Sequence, residues 1–284
     1  MPALIDIRRR IRSVRNTQQI TKTMKMVSAA KLRRAQDRVM AARPYADLIR
    51  EMLASVGSRV ASANGAAHPL LERRPENRVQ LLLLTGDRGL CGAFNANLLK
   101  ASQSFLGGRA YVPVDLELIG RKGRDFYRRR RVSVSGEHVG VFDKCEYSVA
   151  RSIAQKAMDR FAAGEVDAVY LLYNEFRTVL SQKLVVDRVL PLEVPETAGG
   201  EYLWEQPPAE VLASLMPRYV EVQVYRAMLE SAAAEHAARM TSMDAATTNA
   251  GEMIDRLTLF MNRVRQASIT KEIIEVVSGA AGIA

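Results

Sequence analysis

One stretch has the composition of a chemical site. Thr85-Gly86-Asp87-Arg88-Gly89-Leu90-Cys91-Gly92 places three glycines, an acid and a base directly after the apolar run Val79 to Leu84. A strand, a glycine-rich turn and a helix commonly hold a phosphate, because glycine lets backbone N–H groups approach the anion and a helix N-terminus adds a positive dipole end. Here the glycines stand three apart, and both GxGxxG and GK[ST] are missing, so a tight turn needing glycine's backbone freedom is the competing reading. Elsewhere the reactive residue types are scattered. Asp115, Glu117, Asp143, Glu165 and Asp167 sit singly, and no Ser and His fall into a known nucleophile pattern. Cys91 and Cys145 have no CxxC spacing, and His68, His138 and His236 lie far apart, so neither a zinc site nor a disulfide framework is indicated. The expectation is a chain with no catalytic residue, no cofactor and no metal, with thiols compatible with a reducing cytoplasm.

The elements that would position the turn alternate. Val79 to Leu84 reads as a strand buried on both faces, and a helix starts near Phe94. Then follow a strand near Val114 to Ile119, a basic helix Arg121 to Arg131, a strand near Val132 to Ser135, a helix Ser148 to Ala162, and strands Ala168 to Tyr173 and Leu184 to Leu190. This order predicts a mostly parallel, Rossmann-like α/β domain over residues 77–206. Pro191, Pro195, Gly199, Gly200, Pro207 and Pro208 mark its exit loop, in which Tyr202, Leu203 and Trp204 form an apolar patch.

Long helices flank that domain, one over residues 1–60 and one over 207–284. In the second, Leu215, Val222, Leu229, His236, Met243, Ala250, Leu257 and Val264 recur every seventh residue, with Tyr225, Ala232, Ala246, Met253, Phe260, Ala267 and Ile274 three positions later. That is a coiled-coil seam. At ~1.5 Å per residue the helix spans on the order of 100 Å, more than a domain of this size, and is expected to protrude as a rod. The first helix runs without Gly or Pro from Leu4 to Pro44, and helical character resumes beyond Pro44 and fades near Gly57. Its apolar groups, Ile7, Ile11 and Val14, then Ile20, Met24 and Val27, then Leu32, Ala35, Val39 and Ala42, are out of step with one another, which predicts a loose winding rather than a strict heptad. Both helices enter the same domain, so they can pair antiparallel within one chain, without a homodimer. The fold class predicted is therefore α/β: a long antiparallel coiled coil of N- and C-terminal helices with an inserted Rossmann-like α/β domain.

The formal charge of +10 is concentrated, since residues 1–50 hold thirteen Lys and Arg against three Asp while the rest balances near zero. A solvated basic face, an acidic protein partner and nucleic acid all fit such a helix. No apolar run reaches the ~20 residues of a membrane span, and the N-terminus lacks the apolar core of a secretory signal, so a soluble or peripheral protein is expected.

Several motifs together are more specific than any pattern above. They are Ile20-Thr21-Lys22-x-Met24 with Met26-Val27, Arg43-Pro44-Tyr45, Gly89-Leu90-Cys91-Gly92-Ala93-Phe94-Asn95, Arg218-Tyr219-Val220-Glu221, Ala237-Ala238-Arg239-Met240, and Arg265-Gln266-Ala267-Ser268-Ile269-Thr270-Lys271-Glu272 through Ser278-Gly279-Ala280-Ala281. By these the chain resembles the gamma subunits of F-type ATP synthases over essentially its whole length. It departs from them at Ala61 to Arg78, at Arg121 to Arg131 and at Gly282. The resemblance implies a non-catalytic central-stalk rotor that transmits torque between a membrane c-ring and the catalytic alpha/beta ring during ATP synthesis coupled to proton transport. It implies contacts to the beta subunit through Lys22, Met24, Arg265, Gln266, Thr270 and Glu272, with Tyr202 and Glu205 meeting the c-ring. It implies the epsilon subunit as a further partner, an apolar bearing for Ile273 to Ala284, no small-molecule substrate, no nucleic acid, and a peripheral place on the cytoplasmic face of a bacterial cell membrane. The chain lacks the closely spaced cysteine pair that plastid relatives use as a redox switch.

Two other readings remain open on the residues alone. A basic coiled coil that binds nucleic acid rests on the pI near 9.8 and the first helix, without stacking aromatics or a groove-reading motif. A nicotinamide-dependent enzyme rests on the Rossmann-like order only.

Overall fold

A computed structural model describes residues 4–62, 68–109, 111–193 and 206–281, with the backbone alone at 58–62 and 279–281. The chain divides into two compact units, Ala29–Arg239 and a second made of Met1–Ser28 with Met240–Ala284.

The Ala29–Arg239 unit is built on a five-stranded sheet. Its strands are β1 (Val79–Leu84), β2 (Val114–Ile119), β3 (Ser133–His138), β4 (Ala168–Phe176) and β5 (Gln182–Leu190), in the spatial order β3-β2-β1-β4-β5. β1, β2, β3 and β4 are parallel, with Val79 opposite both Val114 and Ala168, while β5 returns antiparallel from Phe176 to Gln182 as one edge. β1 and β2 are buried at every position, which is why their sequences do not alternate. The helices between them are α2 (Phe94–Gly107), α3 (Arg121–Tyr127) and α4 (Tyr147–Ala162). α3 stops four residues before the expected Arg131, and β3 runs three residues beyond the expected Ser135.

Two long helices complete the chain. α1 (Leu4–Ser62) continues through Pro44 instead of pausing there, and α5 (Pro208–Ala281) likewise continues through Pro217. A proline inside a helix costs ~3 kcal/mol, so packing on either side of it must outweigh that loss. At Pro44 it does. Val39, Ala46 and Ile49 are buried, and Ala46 and Ile49 form one cluster with Val222 and Tyr219 of α5.

In this unit α5 is covered almost all round. Val220, Val222, Val224, Ala227 to Leu229, Ala232 to Ala234 and Ala237 are each less than a tenth exposed. Three acids are buried with them, two tied to other elements and the third to its own helix. Glu221 accepts from Tyr147 Oη of α4 at 2.6 Å and faces Arg151 at 3.4 Å. Glu230 accepts from Arg43 of α1 and from the Phe176 amide of β4, both at 3.1 Å. Glu235 pairs with Arg239, one helical turn on.

In the other unit α1 and α5 pair antiparallel: Gln18 Nε2 donates to Thr247 O at 3.4 Å, Thr21 and Thr247 hydroxyls lie 2.8 Å apart, and Lys25 reaches Asp244 at 2.5 Å. The side of α1 turned inward is Leu4, Ile7, Ile11, Val14, Gln18, Thr21, Lys25 and Ser28, a strict alternation of three and four. The expected phase shift is thus absent. Ile20 and Val27, which suggested it, are 60% and 52% exposed, while Thr21 and Ser28 occupy the seam. A polar layer takes the place of the apolar one, and no apolar pattern in the sequence reveals it.

On α5 the series Met243, Ala250, Leu257 and Val264 does face inward, but its companions are Thr247, Ile254, Met261 and Ser268. Those lie four residues on rather than three. One residue is ~100° of helical rotation, which turns Met253, Phe260 and Ile274 outward, at 47%, 41% and 58% exposure. Gly251 fits the polar layer because a Cβ there would sit 3.1 Å from Gln18 Nε2.

Candidate partner interface

The glycine turn is occupied by the protein itself. Gly86 N donates to Asn95 Oδ1 at 2.8 Å, and Gly86 O accepts from Lys122 N at 3.1 Å. Asp87 Oδ1 accepts from the amides of Arg121 and Gly140, both at 3.0 Å. Leu90 and Gly92 adopt left-handed backbone, with φ of 62° and 56°, as a tight turn of this length requires. The Glu235 carboxylate of α5 lies against Gly86, so close that a Cβ there would be 2.9 Å from its Cδ. Arg239 donates from Nε to Gly89 O at 3.2 Å and from Nη2 to Arg88 O at 3.5 Å. An anion of the chain's own and its paired guanidinium thus face the turn. The arrangement is a docking turn for α5, not a phosphate cradle.

Glu117, which looked solitary in sequence, is the centre of a network. It is 1% exposed and accepts from Ser135 Oγ at 2.6 Å, His138 Nε2 at 2.8 Å, Lys156 Nζ at 3.1 Å and Gln80 Nε2 at 3.4 Å. Burial pushes its pKa up, but the hydrogen bonds from His138, Ser135 and Lys156 outweigh burial and hold it at about 2. Ser135 and His138 both serve this carboxylate and not each other, so these two do not form a nucleophile and base pair. Cys91 and Cys145 are free and buried, and burial raises both thiols, Cys145 to about 12, which removes the thiolate needed for reaction. Among the described residues no group of His, Cys, Asp and Glu is placed to hold a metal ion.

The residues expected to meet partners fall in two places on the Met1–Ser28 and Met240–Ala284 unit. Lys22 is exposed and Met24 half-buried, both next to the polar layer at Thr21 and Thr247. Arg265, Gln266, Thr270 and Glu272 are all exposed, and Arg265 stands eighteen residues beyond Thr247, about 27 Å along α5 at ~1.5 Å per residue. The two groups are therefore separate patches. Thr270 Oγ1 donates to Gln266 O at 2.9 Å, and Ser268 Oγ donates to Glu272 at 3.3 Å. Arg265 makes no ion pair among the described residues. From Ile269 to Ser278 every side chain of α5 is exposed. Tyr202 and Glu205 lie outside the described residues.

Lys25, three residues beyond Lys22, is placed differently, because it is held across the seam by Asp244. Glu235 and Arg239 are the residues that pattern reading missed. One signal was present: a Glu and an Arg four apart are the only formal charges in Ser231-Ala232-Ala233-Ala234-Glu235-His236-Ala237-Ala238-Arg239. Opposite charges on one face of an alanine helix that is otherwise buried must find each other and something further to bond.

An ATP synthase family model matches residues 3–283. The ATP synthase gamma chain of Solibacter usitatus (strain Ellin6076) is 62% identical over 283 residues, covering 99% of both chains. That of Anaeromyxobacter sp. (strain Fw109-5) is 50% identical over 286 residues, again covering 99% of both. Among solved structures, a chain from Euglena gracilis mitochondrial ATP synthase (OSCP/F1/c-ring, rotational state 3) matches with a TM-score of 0.68 at 16% identity, over 99% of this chain and 94% of that one. A chain from the Tetrahymena thermophila mitochondrial ATP synthase central stalk and c-ring matches with a TM-score of 0.61 at 23% identity, over 80% of this chain and 99% of that one. At such identities these two bear on the fold alone, and they agree on a sheet domain between two long helices. With a family model and relatives that both run nearly end to end, the chain belongs to the ATP synthase gamma chain family.

Proposed function

We propose that this chain is the central-stalk rotor of an ATP synthase, carrying torque between a membrane c-ring and a catalytic ring of alpha and beta subunits while making and breaking no bond itself. Membership of the gamma chain family carries the reading. The physics of the described residues supports it. A paired antiparallel helix with different side chains on each flank is asymmetric about its axis, so at any angle it meets three like neighbours differently. Differential contact is what shifts their nucleotide affinities in turn.

On this reading Lys22 and Met24 meet acidic segments of beta low on the axle, where positive charge adds complementarity. Arg265, Gln266, Thr270 and Glu272 meet a polar loop of beta near its end. Tyr202 and Glu205 contact the c-ring, and epsilon joins the α/β unit. The chain is peripheral, on the cytoplasmic face of a bacterial cell membrane, in a complex that couples ATP synthesis to proton transport. No described helix is long and apolar enough to cross a membrane. A nucleic-acid partner for the basic first helix is set aside, because the family model and the relatives are those of ATP synthase.

Arg265→Ala tests the contact set most directly. The guanidinium is exposed on the free chain, and on assembly it would form a charge-assisted bond to a beta carboxylate. Truncating a desolvated partner of this kind costs ~2 to 5 kcal/mol, so ATP turnover of the assembled head should fall about thirtyfold or more. The α1/α5 seam is untouched, so co-purification with alpha and beta should persist. Parental turnover and parental proton pumping in the assembled variant would remove Arg265 from the interface.

A further inference from the structure

Two buried acids, Glu221 and Glu230, fasten α5 to other elements of the Ala29–Arg239 unit, and a third, Glu235, is paired with Arg239 at the end of that unit. The unit closes at Arg239, while α5 itself runs on to Ala281. Glu235 and Arg239 therefore occupy the final helical turn that this unit holds. They are 4% and 7% exposed and pair with each other, and Arg239 bonds to the glycine turn after β1 while the Glu235 carboxylate lies against its Gly86. His236, between them, accepts from Arg239 Nη1 at its Nδ1, 3.3 Å away. Burial, with Arg239 and Lys31 nearby, lowers its pKa to about 4, so it is a neutral acceptor at physiological pH.

The turn is itself braced on several sides. Asn95 ties it to the start of α2, the Lys122 and Arg121 amides tie it to the start of α3, and the Gly140 amide ties it to the segment before α4. Thr85, at its beginning, donates to Ile119 O at 3.3 Å and accepts from Gly123 N at 2.8 Å. A force applied at Glu235 and Arg239 thus reaches β1, β2, α2 and α3 through the buried Arg239 guanidinium and the bonds of the turn.

We propose that Glu235 and Arg239 act as a torsional latch, positioning residues that lock the rotation of α5 to the α/β unit through the Gly86–Gly92 turn. The latch rests on the rotor reading above. A bidentate guanidinium that bonds two carbonyls and a carboxylate resists twist about the helix axis, which apolar packing against alanines resists weakly. It also explains Gly86, because any side chain there would strike the Glu235 carboxylate.

The test uses the complete ATP synthase in sealed vesicles, with ATP hydrolysis and ATP-driven proton pumping measured together. Arg239→Ala alone would strand a buried carboxylate, so the variants are Glu235→Gln with Arg239→Gln, and separately Arg239→Lys. Hydrolysis should stay within about twofold of the parent while protons pumped per ATP fall at least threefold. In hydrogen exchange on the purified full chain, the Gly86–Gly92 amides should exchange at least tenfold faster, with β4 unchanged. An unchanged pumping ratio overturns the latch, and so does a proportional loss of hydrolysis and pumping, the sign of a merely structural pair. Unaltered exchange at the turn overturns it as well. If the double variant does not accumulate, Arg239→Lys decides by the same three readings. A parental chain that supports no coupled pumping with its partner subunits would sink the rotor reading instead, and the exchange measurement on the isolated chain would still judge the contact.

Discussion

Replacing Glu117 by Gln removes the one charge on which Ser135, His138, Lys156 and Gln80 converge. The native carboxylate titrates at about 2 instead of 4.5, a difference worth about 3 kcal/mol at ~1.4 kcal/mol per pKa unit. A depressed pKa contributes stability that is complete above the unfolded value near 4.5 and is lost as pH falls toward 2. The parent should therefore exceed Glu117→Gln by about 3 kcal/mol at pH 7, by nearly as much at pH 5, and by almost nothing near pH 2. Urea unfolding followed by circular dichroism measures the gap, and hydrogen exchange of the β2 amides assigns the transition to the sheet. A gap of constant size from pH 7 to pH 2.5 would show that the carboxylate's ionisation is not what stabilises the sheet. A gap of zero at pH 7 would refute the network altogether. Gly136→Ala supplies an independent check, because its Cβ would overlap the same carboxylate and the loss should match or exceed that of Glu117→Gln.

Lys22→Glu should impair proton pumping of the assembled complex without changing the unfolding of the free chain, and unchanged pumping would remove Lys22 from the interface. Lys25→Glu places a carboxylate against Asp244 and should destabilise the helix pair, but by no more than ~1 kcal/mol because that pair is 41% and 56% exposed, as a urea titration would show. Calorimetry with the isolated chain should detect no micromolar binding of ATP or NAD, since Glu235 and Asn95 already take the contacts at Gly86, and a dissociation constant in the micromolar range would reopen the phosphate reading. Thr247→Val deletes the hydroxyl contact to Thr21 and should cost about 1 kcal/mol in unfolding, with a gain in stability contradicting the polar layer.

The sheet was legible because its central strands are buried on both faces and read as unbroken apolar runs, as Val79 to Leu84 does. Its antiparallel edge was harder to see: β5 is only partly buried, so Gln182 and Lys183 did not register as strand. The helix pair was legible as a pair but not in its phase. Periodicity assumes that the inward residues are the apolar ones, and at Gln18, Thr21, Thr247 and Ser28 they are not. Pro44 misled for a similar reason, since propensity is local and the packing of Ala46 and Ile49 that overrides it is not. Lys22 and Arg265, the contacts proposed from family resemblance, lie on exposed surface, whereas Glu117 gathers its four partners from positions 18 to 39 residues away in sequence and Glu235, paired with Arg239 one turn on, meets Gly86 only when α5 folds against the turn.

The last turns of α5 hold a cost for any cell that makes this protein. Ile269, Ile273, Ile274, Val276 and Val277 are between 49% and 71% exposed on the free chain, where no described residue covers α5. Contiguous apolar surface of this kind drives self-association until something covers it. An unassembled copy is thus colloidally unsafe however well its sheet is folded, and surplus chains should be lost to aggregation or proteolysis in proportion to the surplus. On the rotor reading proposed above, the supply of the subunits that cover these turns would set how much of this chain persists, so the sequence from Ile269 to Val277 would act as a dosage control on the assembly.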